Sequence, residues 1–403
     1  MRRWKLFCII CITGLISSCI DPFTPELNDF QSLLVVDARL TDEDFPATVR
    51  LSHTFREAGQ KPVMVEGAEV IIKDDQDNIT RLTERSPGLY KTDSLMFRGE
   101  RGRTYRLFIT TSEGKKYESD PCPLLPVQEL DDVWFEKDNE IPADGSPPIP
   151  GMRIFISSGG EKECDYMRWT CREWWKFSVP DPKMYDYLSD SIILPVSKVN
   201  QVCWGSMIPG DIHIQPVPDH PGNSFSKKSV LFVDPAASNR VQIRYCAEVR
   251  QMSISAREYE FWDLMDQLEK SGGDIFDRQP FQIFSNIHNI TDPGEQVLGY
   301  FQVSGVSSKK VYINYSDIIS MDLPAYRYTC ERVSKGPADY ITDSPAGPPT
   351  FNEIYSMHMN SGYVFIEPVY DIAGVLQRLT FSKPECSDCT SSGTVEKPAF
   401  WTD

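Results

Sequence analysis

The chain has 403 residues, more than one compact domain usually holds, so two are expected. Apolar residues at 40% and charged residues at 25% fit a globular protein with real cores, and 24 glycines with 30 prolines are too few for a disordered or collagen-like chain. Asp and Glu outnumber Lys and Arg by 58 to 41, a net charge of -17, which excludes a protein that grips a nucleic-acid backbone through a basic face.

The N-terminus carries the sharpest signal. Arg2, Arg3 and Lys5 precede an eleven-residue apolar run, Leu6 to Ile16. At ~1.5 Å per residue such a helix falls well short of a ~30 Å hydrocarbon core, so the run has signal-peptide length rather than spanning length. Ile16-Ser17-Ser18-Cys19 resembles a bacterial lipobox, which makes Cys19 the expected lipid acceptor and residues 1–18 the signal peptide. Several acyl chains at ~0.8 kcal/mol per buried methylene anchor stably. Residues 19–31 read as an acidic, proline-interrupted tether. The chain is therefore expected to be a lipoprotein; the acids just after its lipidated cysteine resemble a bacterial surface-export signal and would face it outward, with the periplasmic face as the alternative.

Of eleven cysteines, Cys8 and Cys11 leave with the signal peptide and Cys19 is lipidated. Cys122, Cys164, Cys171, Cys203, Cys246, Cys330, Cys386 and Cys389 remain, an even count that favours disulfides in an exported protein without fixing their connectivity. Cys386-Ser-Asp-Cys389 has redox-motif spacing, but its Ser/Thr/Gly-rich surroundings favour a structural staple. No second such pair accompanies it to build a four-thiolate zinc site.

From Ser32 the chain alternates as strands do, with further candidates at 47–53, 68–73, 79–83 and 104–111. Short strands separated by turns, with no helix between them, predict a β-sandwich over 32–121. The acidic run Asp74 to Asp77 lacks the glycine and terminal glutamate of a calcium loop and reads as a hairpin turn. Pro121–Pro126 marks the expected boundary before a larger β-rich domain, 127–403. Strands are expected there at 127–135, 152–157, 281–290, 299–303 and 310–315.

In Met167–Phe177, period two puts Met167, Trp169, Cys171, Trp175 and Phe177 on one face, with Glu173 as the odd member. The opposite face carries Arg168, Thr170, Arg172, Trp174 and Lys176. Arg168, Arg172, Trp174 and Lys176 form a candidate partner or ligand face on an otherwise acidic protein. The plainer reading is a solvated sheet face whose cationic stems cover Trp174. One helix is predicted over 256–270, capped by Ser255 with Glu258 and striped by Phe261, Leu264, Met265 and Leu268. Stretches 215–224 and 336–350 are long, Pro/Gly-rich surface loops.

The five histidines, His53, His213, His220, His288 and His358, show no ligand spacing, and no nucleophile elbow, phosphate loop or dinucleotide fingerprint occurs. No cofactor, metal or catalytic residue is therefore expected. A carboxylate pair formed only in three dimensions is the route by which a hydrolase would escape this reading. Asp93-Ser94-Leu95 and Asp190-Ser191-Ile192 resemble a bacterial O-glycosylation tripeptide that also arises often by chance.

Val249–Ser255, the helix Glu258–Trp262, Gly273–Asp277, Asn286–Asn289 and Asp292–Phe301 form a connected set of motifs. Cys386-Ser-Asp-Cys389-Thr390 and Lys397-Pro-Ala-Phe-Trp401 follow near the end. With the lipobox and the opening strand, these residues make the chain resemble the Bacteroidota lipoproteins of the domain of unknown function 4249 family. Cys164 and Cys171 lie outside that pattern. The resemblance implies an outer-membrane lipoprotein with an immunoglobulin-like N-terminal sandwich, associated with a TonB-dependent receptor-like barrel. It supplies no catalytic residues. The resulting expectation is a mainly β, non-enzymatic accessory of that transporter in nutrient capture or gating. A surface hydrolase on glycan or peptide, or a structural and adhesive lipoprotein, is the alternative.

Overall fold

The computed structural model describes residues 32–55, 61–93, 97–160, 162–218, 225–270, 284–340 and 347–402. Cys19, the signal peptide and the tether lie outside the described residues, as does His220. The fold is mainly β, as the alternating patterns predict, and its strands collect into three units, each with its own apolar core.

In the opening strand Leu34–Thr41, the side chains of Leu34, Val36, Ala38 and Leu40 all point inward and are at most 1% exposed. Around them runs a sheet of eleven strands that curls almost shut. Its path goes from Lys116–Ser119 through Thr104–Thr110, Glu69–Asp74, Ile79–Ser86, Leu89–Lys91 and Thr48–His53 to Leu34–Thr41. Two strands that close it come from far along the chain. Val297–Ser304 pairs in parallel with Leu34–Thr41, and Ile287–Asn289 pairs with Lys116–Ser119 at the other end. The expectation of one contiguous unit over 32–121 is therefore corrected: residues 287–304 belong to the first sheet. Local alternation identifies strands but carries no information about a partner hundreds of residues away.

The second unit is a sandwich. A three-stranded sheet (Leu130–Glu140, Ile149–Ser158, Phe225–Val233) faces a five-stranded one built on Tyr166–Ser178, Arg244–Ile254 and Val306–Asn314. Met152, Ile154, Ile156, Trp169, Tyr245 and Val249 interdigitate between them. Arg244–Ile254 is buried at every position after Arg244, because the first unit and the C-terminal tail cover its second face. The predicted helix Ala256–Lys270 follows directly, with the Glu258 N–H donating to the Ser255 hydroxyl. It anchors through Phe261 and Glu258, while the rest of the predicted stripe is only half-buried.

The third unit was not legible as such. Val333–Lys335, Leu376–Ser382 and Val364–Tyr370 form a sheet over which helix Phe351–Asn360 packs, and the hairpin Tyr185–Ser189/Ile192–Pro195 leans against it. The single predicted helix is thus joined, among the described residues, by Phe351–Asn360 and the short turns Tyr315–Ser320 and Pro384–Ser387. Thr350 and Glu353 form a capping box at the start of Phe351–Asn360, a signal hidden in sequence by the proline-rich run before it.

Candidate functional site

The cationic stripe on Tyr166–Ser178 is not an open docking face. Arg168 is 8% exposed; its guanidinium lies 3.4 Å from the centre of the Trp262 ring and donates to Gln302 at 3.0 Å. Arg172 reaches over Phe45, Lys176 over Trp204, and Trp174 meets Phe400 edge-on at 4.7 Å. Arg168 is thus buried under the helix, while Arg172, Trp174 and Lys176 are half-buried against the first unit, the C-terminal tail and the neighbouring strand of their own sheet. Period two separates two faces but does not say whether the second has a layer of its own. The tail is fixed by the buried Trp401, which packs against Tyr312, and by Arg244 donating to the Thr402 carbonyl. The odd member of the core face, Glu173, is 1% exposed and accepts from the Tyr245 hydroxyl at 2.7 Å and from Arg240 at 2.8 Å.

Where helix and sheets meet lies a second buried carboxylate. Glu258 is 3% exposed and accepts from the Trp262 indole N–H at 3.2 Å. Burial pushes its pKa up to about 7, against the pull of Arg168, Trp262 and Arg39. Burial likewise pushes Arg168 down. A guanidinium stays charged in proteins, so the cost of the poorly hydrated pair falls on the carboxyl.

On the surface, Asp120, Arg257, Phe261, His288 and Tyr300 line a crevice of about 360 Å³ at the seam of the first sheet. Asp120 takes Arg257 on one oxygen and His288, at 3.1 Å, on the other, and Glu260 lines the same crevice as a second carboxylate. Beneath it, the Asn286 carboxamide accepts from the Phe301 N–H at 2.8 Å and donates to the Phe301 carbonyl at 3.0 Å, doing the work of one strand pair across the gap. Along the seam, burial pushes Glu295 up, but Lys115 at 2.7 Å and Tyr117 at 3.0 Å outweigh it and hold the carboxyl low. The acidic turn is a turn: Asp74 accepts from the Gln76 and Asn78 N–H groups, and Arg103 bridges Asp74 and Asp75. Among the described residues, no three His, Cys, Asp or Glu side chains converge as metal ligands.

The cysteines divide in two. Cys203 bonds Cys389, and Cys330 bonds Cys386, so the two members of the redox-spaced motif are joined to other elements rather than to each other. The remaining four are corrected from disulfide candidates to buried thiols: Cys122, Cys164, Cys171 and Cys246 each have no sulfur partner among the described residues. Burial pushes Cys122 and Cys171 to about 12 and Cys164 and Cys246 to about 11, which leaves them unreactive. The disulfides clip the start and finish of the third unit, and the finish to the strand after its hairpin. Loop-closure entropy for a separation of 56 residues corresponds to about 4 kcal/mol. The double variant Cys330→Ala/Cys386→Ala is expected to lose that much in urea unfolding. Amide exchange should rise in 351–382 while Thr104–Thr110 stays protected. Uniform loss of protection in both would refute the clip.

The family model described as a domain of unknown function (DUF4249) matches residues 20–310. The chain belongs to the DUF4249 family. The match takes in the curled first sheet, most of the sandwich and the hairpin 185–195, and stops before the sheet and helix of the third unit. No curated protein matches this DUF4249 chain. Among the described residues, no helix is long and apolar enough to cross a membrane.

Proposed function

We propose that this DUF4249 protein is a lipid-anchored, non-enzymatic lipoprotein of the outer membrane. In this reading it serves as the accessory of a TonB-dependent receptor-like barrel in nutrient capture or gating. The observation that carries the reading is the lipobox ending at Cys19 on a chain that belongs to the DUF4249 family. In the crevice and seam, Asp120 and Glu295 are each held by two partners as parts of the sheet closure. The lipobox ending at Cys19 supports the anchor, and two disulfides fit an exported chain.

The test is purification from native membranes in mild detergent, with the affinity handle inserted at Gly145 because Trp401 is buried and a C-terminal handle would disturb the tail. A receptor-like barrel recovered in stoichiometric amount is the expected result; recovery of the lipoprotein alone overturns the accessory reading. Cys19→Ser is expected to abolish palmitate labelling and release the protein from membranes. Labelling that survives in that variant would refute the anchor.

A further inference from the structure

The hairpin Tyr185–Pro195 is buried on one face only. Tyr187 stacks on Tyr355 at 4.6 Å and donates to Asn352 at 2.8 Å, and Ile193 packs beside it in the third core. Register pairs Asp186 with Leu194, so Leu194 shares the outer face with its strand neighbour Ile192 and with Leu188. These three are 51%, 48% and 66% exposed.

The edge matters as much as the face. The Val196 N–H donates to the Met184 carbonyl, which makes 184/196 and 186/194 the hydrogen-bonded pairs. Ile193 therefore turns both its N–H and its carbonyl away from the hairpin, and Pro195 turns out a carbonyl. Among the described residues the hairpin is a sheet of two strands and nothing pairs with that edge. Sheet proteins blunt open edges with inward charges, covering elements or bulges on the edge strand. Ile192–Pro195 is short, ends on Pro195 and faces a register shift between Tyr187 and Ser189, yet it carries no charge and leaves Ile193 and its apolar neighbours uncovered among the described residues.

We infer that Ile192–Pro195 is a strand-addition site for an extended, apolar segment of another protein bearing a flanking Lys or Arg. The inference rests on the accessory reading and names the surface through which it would work. An added strand pairs with Ile193, while its alternate side chains lie with Leu188, Ile192 and Leu194. The flanking cation answers Asp190, exposed at the hairpin tip. A second copy is the poorer occupant, since each chain carries a net charge of -17. The same charge opposes an anionic lipid surface.

The experiment places the photo-crosslinker p-benzoylphenylalanine at Leu194, and separately at the exposed Ile141, in the full lipidated chain in native cells. The expected result is one protein adduct from Leu194 and none from Ile141. The cross-linked peptide should have alternating apolar residues beside a Lys or Arg, and the Ile193 amide should be protected from exchange in the purified complex. Ile192→Lys/Leu194→Lys, whose side chains are outside the core, should cut co-purification of that protein at least tenfold with unchanged melting temperature. No adduct above the Ile141 level, a lipid adduct, a self-adduct or an unprotected Ile193 amide overturns the site. A barrel that co-purifies without a Leu194 adduct overturns the site and spares the accessory reading. A qualifying adduct to a protein other than a barrel does the reverse.

Discussion

Gly299→Ala is expected to destabilise the protein by at least about 4 kcal/mol, an effect in the rare upper range for a single substitution. Gly299 lies opposite Val36 in the parallel pairing that closes the first sheet, at φ +91°, and a β-carbon there would sit 2.0 Å from the Val36 carbonyl oxygen. Neither atom can give way: the oxygen is main chain, the β-carbon is fixed by the backbone that bears it, and Val36 is held in the core by its own side chain. Gly102→Ala provides the control, with a similar φ of +83° and open space around the added carbon. It bears only the conformational penalty of the left-handed region, about 1 kcal/mol. Urea unfolding of the two variants separates clash from conformation. If their midpoints fall together, the close parallel approach of Val297–Ser304 to Leu34–Thr41 is wrong.

The second large effect is a pH dependence set by Glu258. Its folded pKa, about 7, stands above its ordinary value of 4.5. The folded protein therefore holds this proton where the unfolded chain has released it. The stability so gained is complete below about pH 4.5 and is lost as pH rises through 7. At 1.36 kcal/mol per unit, the loss amounts to about 3 kcal/mol. The groups around it are Arg168, Arg39 and the Trp262 N–H, and none changes charge in that window. The carboxyls held low, such as Glu295, Asp138 and Asp388, act with the opposite sign toward the acid end, and His213, pushed down by burial, opposes Glu258 within the window, so the difference between variant and parent is the quantity read. Glu258→Gln keeps shape and removes the proton, so unfolding free energies measured from pH 4.5 to 8 should lose the falling slope. An unchanged slope in the variant assigns it elsewhere.

What the residues declare in sequence follows from the range of the interaction. Leu34-Val-Val-Asp-Ala alternates because its strand has one wet and one dry face, and Ser255 announces its helix because a cap acts over three residues. Arg168 is different. Its partners Trp262 and Gln302 belong to later segments, so in sequence it is a surface cation and in space a buried one. The same holds for Cys122 and Cys171, whose even-numbered company suggests bonds, although in space Cys122 meets the Asn286 carboxamide and Cys171 the Val230 carbonyl. The hairpin edge at Ile193 was hidden for a further reason. An unpaired strand is a property of what does not lie beside it, and no local pattern encodes a neighbour's absence.

The return of residues 287–304 to the first sheet also sets an order of events during synthesis. Asp42 accepts from the Val306 N–H across 264 residues, so the opening strand emerges long before the segment that covers its free edge exists. Throughout that interval Leu34–Thr41 is an unsealed ribbon, rich in Leu and Val, and a ready template for a neighbouring nascent chain. Substitutions that delay the intervening sandwich would lengthen the exposure without touching either strand. Their first symptom is then lost yield through aggregation, and a truncated chain ending before Val297 would share it however soundly its own strands were built.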